Sequence, residues 1–149
     1  MHLSKPNHIG IDMETMKYFT PEEANRTLPL VRSIVSDILR IGSQLRNRIT
    51  DIMEKGEDPR KDEHCIAFSD TLKELHAELE ELGCEYKDWN FNIGLVDFPA
   101  IIEGREVLLC WRSDEDSITH YHGYLEGYAG RKSLPLSYLF EDTSTEDSE

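Results

Sequence analysis

His120-Tyr121-His122 is the sharpest chemical signal in the sequence. On a strand, residues two apart share a face, so both imidazoles could ligate one metal ion, with Asp97, Glu115 or Cys110 as a third ligand. An H-x-H pair with no third ligand at a recognisable spacing falls short of a metal signature. The preferred expectation is therefore two half-exposed histidines on an edge strand, with His120 and His122 kept as metal-ligand candidates. Asp97, in Leu95-Val96-Asp97-Phe98-Pro99, is a carboxylate inside an apolar strand and has to be paired or at the surface. Arg112 and Arg131 are its expected partners. The preferred reading is a structural salt bridge that locks the strands to the segment bearing Gly123, Gly127 and Gly130. The sharper one is an anion or substrate site made by Arg112, Arg131 and His122, with Asp97 and Glu115 orienting them.

Cys110 and Cys84 could be nucleophiles only with an activating base nearby, and Cys110, inside an apolar run, reads rather as a small core residue. Cys84, just past a helix end, reads as more accessible, although the negative potential there disfavours a thiolate. Trp89 to Phe91 reads as an exposed contact patch in a loop. The sequence has no phosphate-cradling Gly-rich loop, no G-x-S-x-G elbow and no H-E-x-x-H motif. No catalytic residue and no cofactor is identified by pattern.

The elements that must position these side chains are legible from periodicity. Thr20-Pro21-Glu22-Glu23 is a helix start, with Thr20 as cap, Pro21 at the first helical position and Glu23 closing a capping box. Pro29 removes a backbone donor and crowds the preceding turn, so a short first helix and a kink or break near Leu28 are expected. The main helix then carries an apolar seam of Val31, Val35, Ile38, Gly42, Leu45, Ile49 and Ile52. Gly56 to Lys61 is a turn. A second seam follows in Phe68, Leu72, Leu75, Leu79 and Leu82, and Gly83 suits a left-handed helix end. Two matched stripes joined by a short polar loop predict a long antiparallel helical hairpin, each arm on the order of 30 Å.

After Gly83 the period changes. Gly94 to Ile102 and Glu106 to Arg112 read as strands joined by the turn Glu103-Gly104. Val107 to Trp111 is apolar on both faces and suits a central strand covered on both sides. Ser113 to Asp116 is a turn and Ser117 to His122 a third strand. Pro99 confines its strand to an edge or a bulge. Leu134 to Phe140 is apolar enough to dock. The predicted fold class is α+β, a long antiparallel helical hairpin followed by a small antiparallel β-meander. Residues 1–17 are expected to be a flexible arm and 18–140 a single domain, with the hairpin in 18–84 and the meander in 85–140. Residues 141–149 are expected to form a disordered acidic tail.

Composition sets the outer bounds. The chain has 149 residues, 38% hydrophobic and 31% charged, with a formal charge of −14. That is enough apolar matter for one core. The negative charge argues against nucleic acid and anionic membranes, both of which need a cationic face. Nucleic-acid binding through Trp89, Phe91 and Arg105 ranks last. Three cysteines, none in a C-x-x-C pair, cannot close a disulfide framework within one chain. With no apolar leader in Met1 to Lys17 and no membrane-length run, the expected location is cytoplasmic.

Tyr18-Phe19-Thr20-Pro21-Glu22-Glu23-Ala24-Asn25 and Leu28-Pro29-Leu30-Val31 resemble the start of the bacterial family known as domain of unknown function 2203. Lys87-Asp88, Gly94-Leu95-Val96-Asp97-Phe98-Pro99-Ala100, Gly104-Arg105 and Leu109-Cys110-Trp111-Arg112 resemble its second-half signature. So do Glu115, His122, Gly127 and Arg131. The resemblance runs from about Tyr18 to Leu134. It implies a small protein of helical hairpin and β-sheet and no activity. It picks out Asp97, Arg112, Glu115, His122 and Arg131 as matching positions. The family tends to carry an aromatic where this chain has His120, so an H-x-H metal site draws no support from it. Trp89-Asn90-Phe91-Asn92 is longer than the family's pattern.

The leading expectation is a non-catalytic binding or assembly module that homodimerises through the hairpin, because two extended apolar seams need covering. The alternative is an enzyme or a protein that binds a small molecule, metal or protein partner through Asp97, Arg112, Glu115, His122 and Arg131.

Overall fold

The computed structural model describes residues 17–139. Residues 1–16 of the arm expected over 1–17, and the acidic tail, lie outside the described residues. The class is α+β: helices and a five-stranded antiparallel sheet.

Helix α1 spans Pro21–Glu54. Its start is the capping box read from the sequence: Glu23 N donates to Thr20 Oγ1 at 3.0 Å and Thr20 N to Glu23 Oε1 at 3.0 Å. The break expected near Leu28 does not occur, and the helix continues through Pro29. Proline forfeits one backbone bond, to the Asn25 carbonyl, and crowds that turn, at about 3 kcal/mol. Ala24, Leu28, Val31, Ile34, Val35 and Ile38, on both sides of it, are buried in one core, and that burial outweighs the loss. A helix of 34 residues is about 50 Å long, well beyond the expected 30 Å.

A short 3-10 turn, Pro59–Lys61, leads to helix α2, Glu63–Leu82. Asp62 caps α2 at Cys65 N (2.9 Å) and receives both Nε and Nη2 of Arg48 from α1 at 2.9 Å. These bonds hold the Asp62 carboxyl well below the usual carboxylate range. Gly83 ends α2 with φ 98°, the left-handed conformation its sequence position suggests. The two helices contact one another, and Leu72 and Leu79 of α2 join the same core as α1.

The sheet follows as β1 (Glu85–Tyr86), β2 (Leu95–Ile102), β3 (Arg105–Arg112), β4 (His120–His122) and β5 (Lys132–Ser133), in that spatial order. Glu103 and Gly104 both have positive φ, 53° and 80°, as a two-residue hairpin turn requires. They set the register: Ile102 lies opposite Arg105 and Asp97 opposite Cys110. Pro99 lies in an unbulged stretch of β2 past the reach of β1. Its carbonyl accepts from Phe19 N at 2.7 Å, so its missing donor faces away from β3 and breaks no bond of that ladder.

Between β1 and β2 the chain loops back onto α1. Phe91 is half-buried there, with its ring against Gly42, where a β-carbon would lie 2.2 Å from the ring. The exposed patch expected over Trp89 to Phe91 is thus only partly exposed: Trp89 packs edge-on against His76, Tyr86 and Phe91. A final short helix, α3 (Leu136–Leu139), contacts α1, and Tyr138 and Leu139 pack against the core. Among the described residues no helix is long and apolar enough to cross a membrane.

Candidate functional site

Strand alternation divides the sheet into two chemistries. Val96, Phe98, Ala100 and Ile102 of β2, with Val107, Leu109 and Trp111 of β3, join the helices in the core. The intervening residues point to the other face. There Asp97 lies opposite Cys110, and His122 of β4 opposite Leu108. Asp97 and His122 are the two buried polar residues among the described residues, 2% and 4% exposed. They face each other: His122 Nε2 lies 3.2 Å from Asp97 Oδ1. Cys110 completes a group of three whose ligand atoms all lie within 4.8 Å of one another.

The His122 tautomer follows from its other nitrogen. Nδ1 lies 2.8 Å from the Gly123 carbonyl, which can only accept, so Nδ1 carries a proton. A neutral ring then turns the Nε2 lone pair toward a carboxylate oxygen, and that contact is attractive only with a proton or a cation between the two atoms. Burial pushes the Asp97 carboxyl above its ordinary range, and His122 opposes the shift without cancelling it. Burial likewise pushes the Cys110 thiol up to about 11, with Arg131 pulling the other way.

Asp97 thus pairs with His122 rather than with the arginines expected for it. Those arginines form a second cluster where the β3–β4 turn meets the start of β5. Arg131 makes two bonds to Glu115, Nη1 to Oε1 at 3.1 Å and Nη2 to Oε2, with side chains only 12% and 18% exposed. Arg112 N donates to Glu115 Oε1 at 2.9 Å, its Nε to Asp114 at 2.6 Å, and its Nη1 to the Tyr128 hydroxyl. Arg131 stacks 4.4 Å over the Tyr128 ring. Burial alone would raise the Glu115 pKa, but Arg131 and the Arg112 amide outweigh it and hold the carboxyl below its usual range. The five candidate residues therefore fall into two groups, Asp97 with His122 and Glu115 with Arg112 and Arg131. His120, opposite Cys110, bonds to Thr119 Oγ1 at 2.9 Å and is not one of the three converging groups.

A pocket of about 230 Å³ opens over the first group, floored by Asp97, Cys110, His122, Leu95 and Leu108. Residues of the Gly-rich segment, Tyr124, Glu126, Gly127 and Tyr128, roof it, and Lys87 lies at its margin. Arg112, Glu115 and Arg131 do not line it. A larger cleft of about 730 Å³ lies between α1 and the β3–β4 connection. There Asn25 already exchanges two hydrogen bonds with the backbone of Ile118, so its amide is spent on structure.

Cys110 was weighed in the sequence as a possible third ligand but read chiefly as a small core residue, and it joins Asp97 and His122 here. The unbroken apolar run of β3 hides which residues face which way. The turn Glu103-Gly104 held the answer, because a two-residue hairpin places Asp97 across from Cys110. Cys84, expected to be accessible, is buried, and its thiol is pushed up to about 12. All three cysteines are free.

The model of one family, DUF2203, described as an uncharacterized conserved protein, matches residues 17–134. No curated protein and no solved structure matches the chain.

Proposed function

Since the chain belongs to the DUF2203 family, whose description carries no activity, we propose a function from its own residues: a binding module whose site is the pocket on the outer face of the sheet. The observation that carries this is the burial of Asp97 and His122 against each other at the floor of that pocket. A buried carboxylate facing an imidazole is an expensive way to fill space, and apolar residues of similar volume often serve stability equally well. A carboxylate, an imidazole and a thiol converging on one cavity instead suit a small polar ligand. The volume, about 230 Å³, lies below the roughly 300 Å³ at which pockets for larger cofactors begin. The ligand is an ion or a molecule of a few heavy atoms.

The test is an NMR titration with acetate, imidazole and zinc chloride in turn. The expected outcome is a shift of the His122 ring resonances of the wild type together with Leu95 and Leu108 methyl shifts that the Asp97→Val/His122→Leu variant does not show. No shift with any probe, or shifts confined to the cleft beside Ile118, overturns the reading.

A second reading concerns the helices, taken as the arms of an antiparallel hairpin. Met53 and Ile66 are 62% and 48% exposed toward the connected ends of the two helices, beside the half-buried Leu45 and Ile49. We read this strip as a homodimer surface, with a second copy of the hairpin as occupant. Sedimentation is expected to show a dimer that Met53→Glu/Ile66→Glu converts to monomer. A clean wild-type monomer at micromolar concentration contradicts it. Three free, buried thiols suit a reducing compartment, and the protein is read as cytoplasmic.

A further inference from the structure

We propose that Asp97, Cys110 and His122 form a three-ligand site for zinc or a similar late first-row divalent cation, with a fourth coordination position facing the pocket. The inference rests on the pocket reading above and names the ligand class that the floor would take.

Ligand spacing supports it. Bonds of about 2.0–2.3 Å to a tetrahedral zinc place neighbouring ligand atoms roughly 3.3–3.8 Å apart. Asp97 Oδ1 and His122 Nε2 are already 3.2 Å apart, and Cys110 Sγ falls within the same 4.8 Å limit. Small side-chain adjustments close the set. The three ligands come from adjacent strands, β2, β3 and β4, so the ladder itself holds them in place.

The outer partners fit as well. A metal-binding histidine commonly donates its second ring nitrogen to a carbonyl or carboxylate, which fixes the tautomer. Here Nδ1 donates to Gly123 O at 2.8 Å, and Nε2 is the nitrogen turned to Asp97. A cation between Nε2 and Oδ1 turns two facing acceptors into two ligands.

Donor type selects the cation. One sulfur, one nitrogen and one carboxylate oxygen form a borderline-soft set that suits zinc and its neighbours; magnesium and calcium take oxygen cages. Three protein ligands with one position open is the arrangement of zinc sites that bind or activate a small molecule, whereas purely structural zinc is closed by four. The pocket above supplies room for that fourth ligand.

The experiment is a cobalt(II) titration of the full chain under reducing conditions, followed by absorption, with zinc as competitor. The expected result is one equivalent bound, with a thiolate-to-cobalt charge-transfer band and the intense visible bands of four-coordinate cobalt, all displaced by zinc. Cys110→Ser should abolish the charge-transfer band. His122→Gln should weaken binding by more than about 100-fold, beyond what loss of an outer partner produces. Circular dichroism of each variant confirms that it is folded. If a variant fails to fold, zinc protection of wild-type Cys110 from alkylation, read by mass spectrometry, decides instead. No cobalt spectrum from folded wild type, or an unchanged charge-transfer band in Cys110→Ser, overturns the proposal. If acetate or imidazole shifts the pocket resonances while no metal binds, the metal site fails and the pocket reading stands.

Discussion

The two faces of the sheet are built from the same strands, alternate residues going to each, yet they obey different rules. The inner face meets the helices with Val96, Phe98, Leu109 and Trp111 and is almost wholly apolar. The outer face is also buried at its centre, but there it encloses Asp97, Cys110 and His122 under a Gly-rich segment, beside the Glu115–Arg131 pair. A core that only had to be dense would use the inner face's chemistry twice. On the reading proposed above, the inner residues other than Trp111 could be replaced by apolar side chains of their size, while the outer ones are specified by their atoms.

The largest effect is expected on the inner face. Trp111, fully buried, packs into the core and donates from Nε1 to the Glu115 carbonyl at 2.9 Å. Trp111→Ala should lower the unfolding free energy by about 3–5 kcal/mol, read from urea midpoints. A comparable loss, about 3 kcal/mol, is expected from His122→Leu alone, because it leaves the Asp97 carboxylate buried without its partner. If that single change were harmless, the outer face would be no more specified than the inner one.

A smaller effect, about 2 kcal/mol, is expected for Glu115→Ala, which strands the partly buried Arg131 and the Arg112 amide. Its pH dependence has a definite sign. The folded-state pKa of Glu115 is lowered, whereas the unfolded value is about 4.3. The stabilisation is therefore complete above that value and lost as pH falls through the folded pKa. Stability curves of wild type and Glu115→Gln should differ at pH 7 and draw together as the pH falls below the unfolded value and through the lowered folded one. A gap that persists in acid would show that packing, and not the charge, is responsible.

The inner face has one polar flaw, the Tyr86 hydroxyl, buried with no hydrogen-bond partner among the described residues. Tyr86→Phe should be neutral or stabilising by up to about 1 kcal/mol. A clear loss would reveal a bond to that hydroxyl and make the inner face less purely apolar than described.

The inner face was the more legible in the sequence. The capping box at Thr20, the helical seams, the hairpin at Glu103-Gly104 and the doubly covered run Val107 to Trp111 are all written in local pattern, and each is present. The outer site was legible residue by residue but not as a constellation. Asp97 announced that it needed a partner, yet the partner arrives from β4, a three-residue strand reached by a long connection whose register no tight turn fixes. Strands β1 and β5, two residues each, are too short to show a period. Pro29 misled for a physical reason: its local penalty is real, but tertiary burial on either side exceeds it.

The most direct test of the contrast between the faces is the unfolding free energy of the double variant Asp97→Val/His122→Leu. If the pair is there for what it binds, the double variant should lie within about 1 kcal/mol of wild type or above it, recovering what His122→Leu alone loses. A double variant as unstable as Trp111→Ala would contradict this, and would make Asp97 and His122 part of what holds the sheet together.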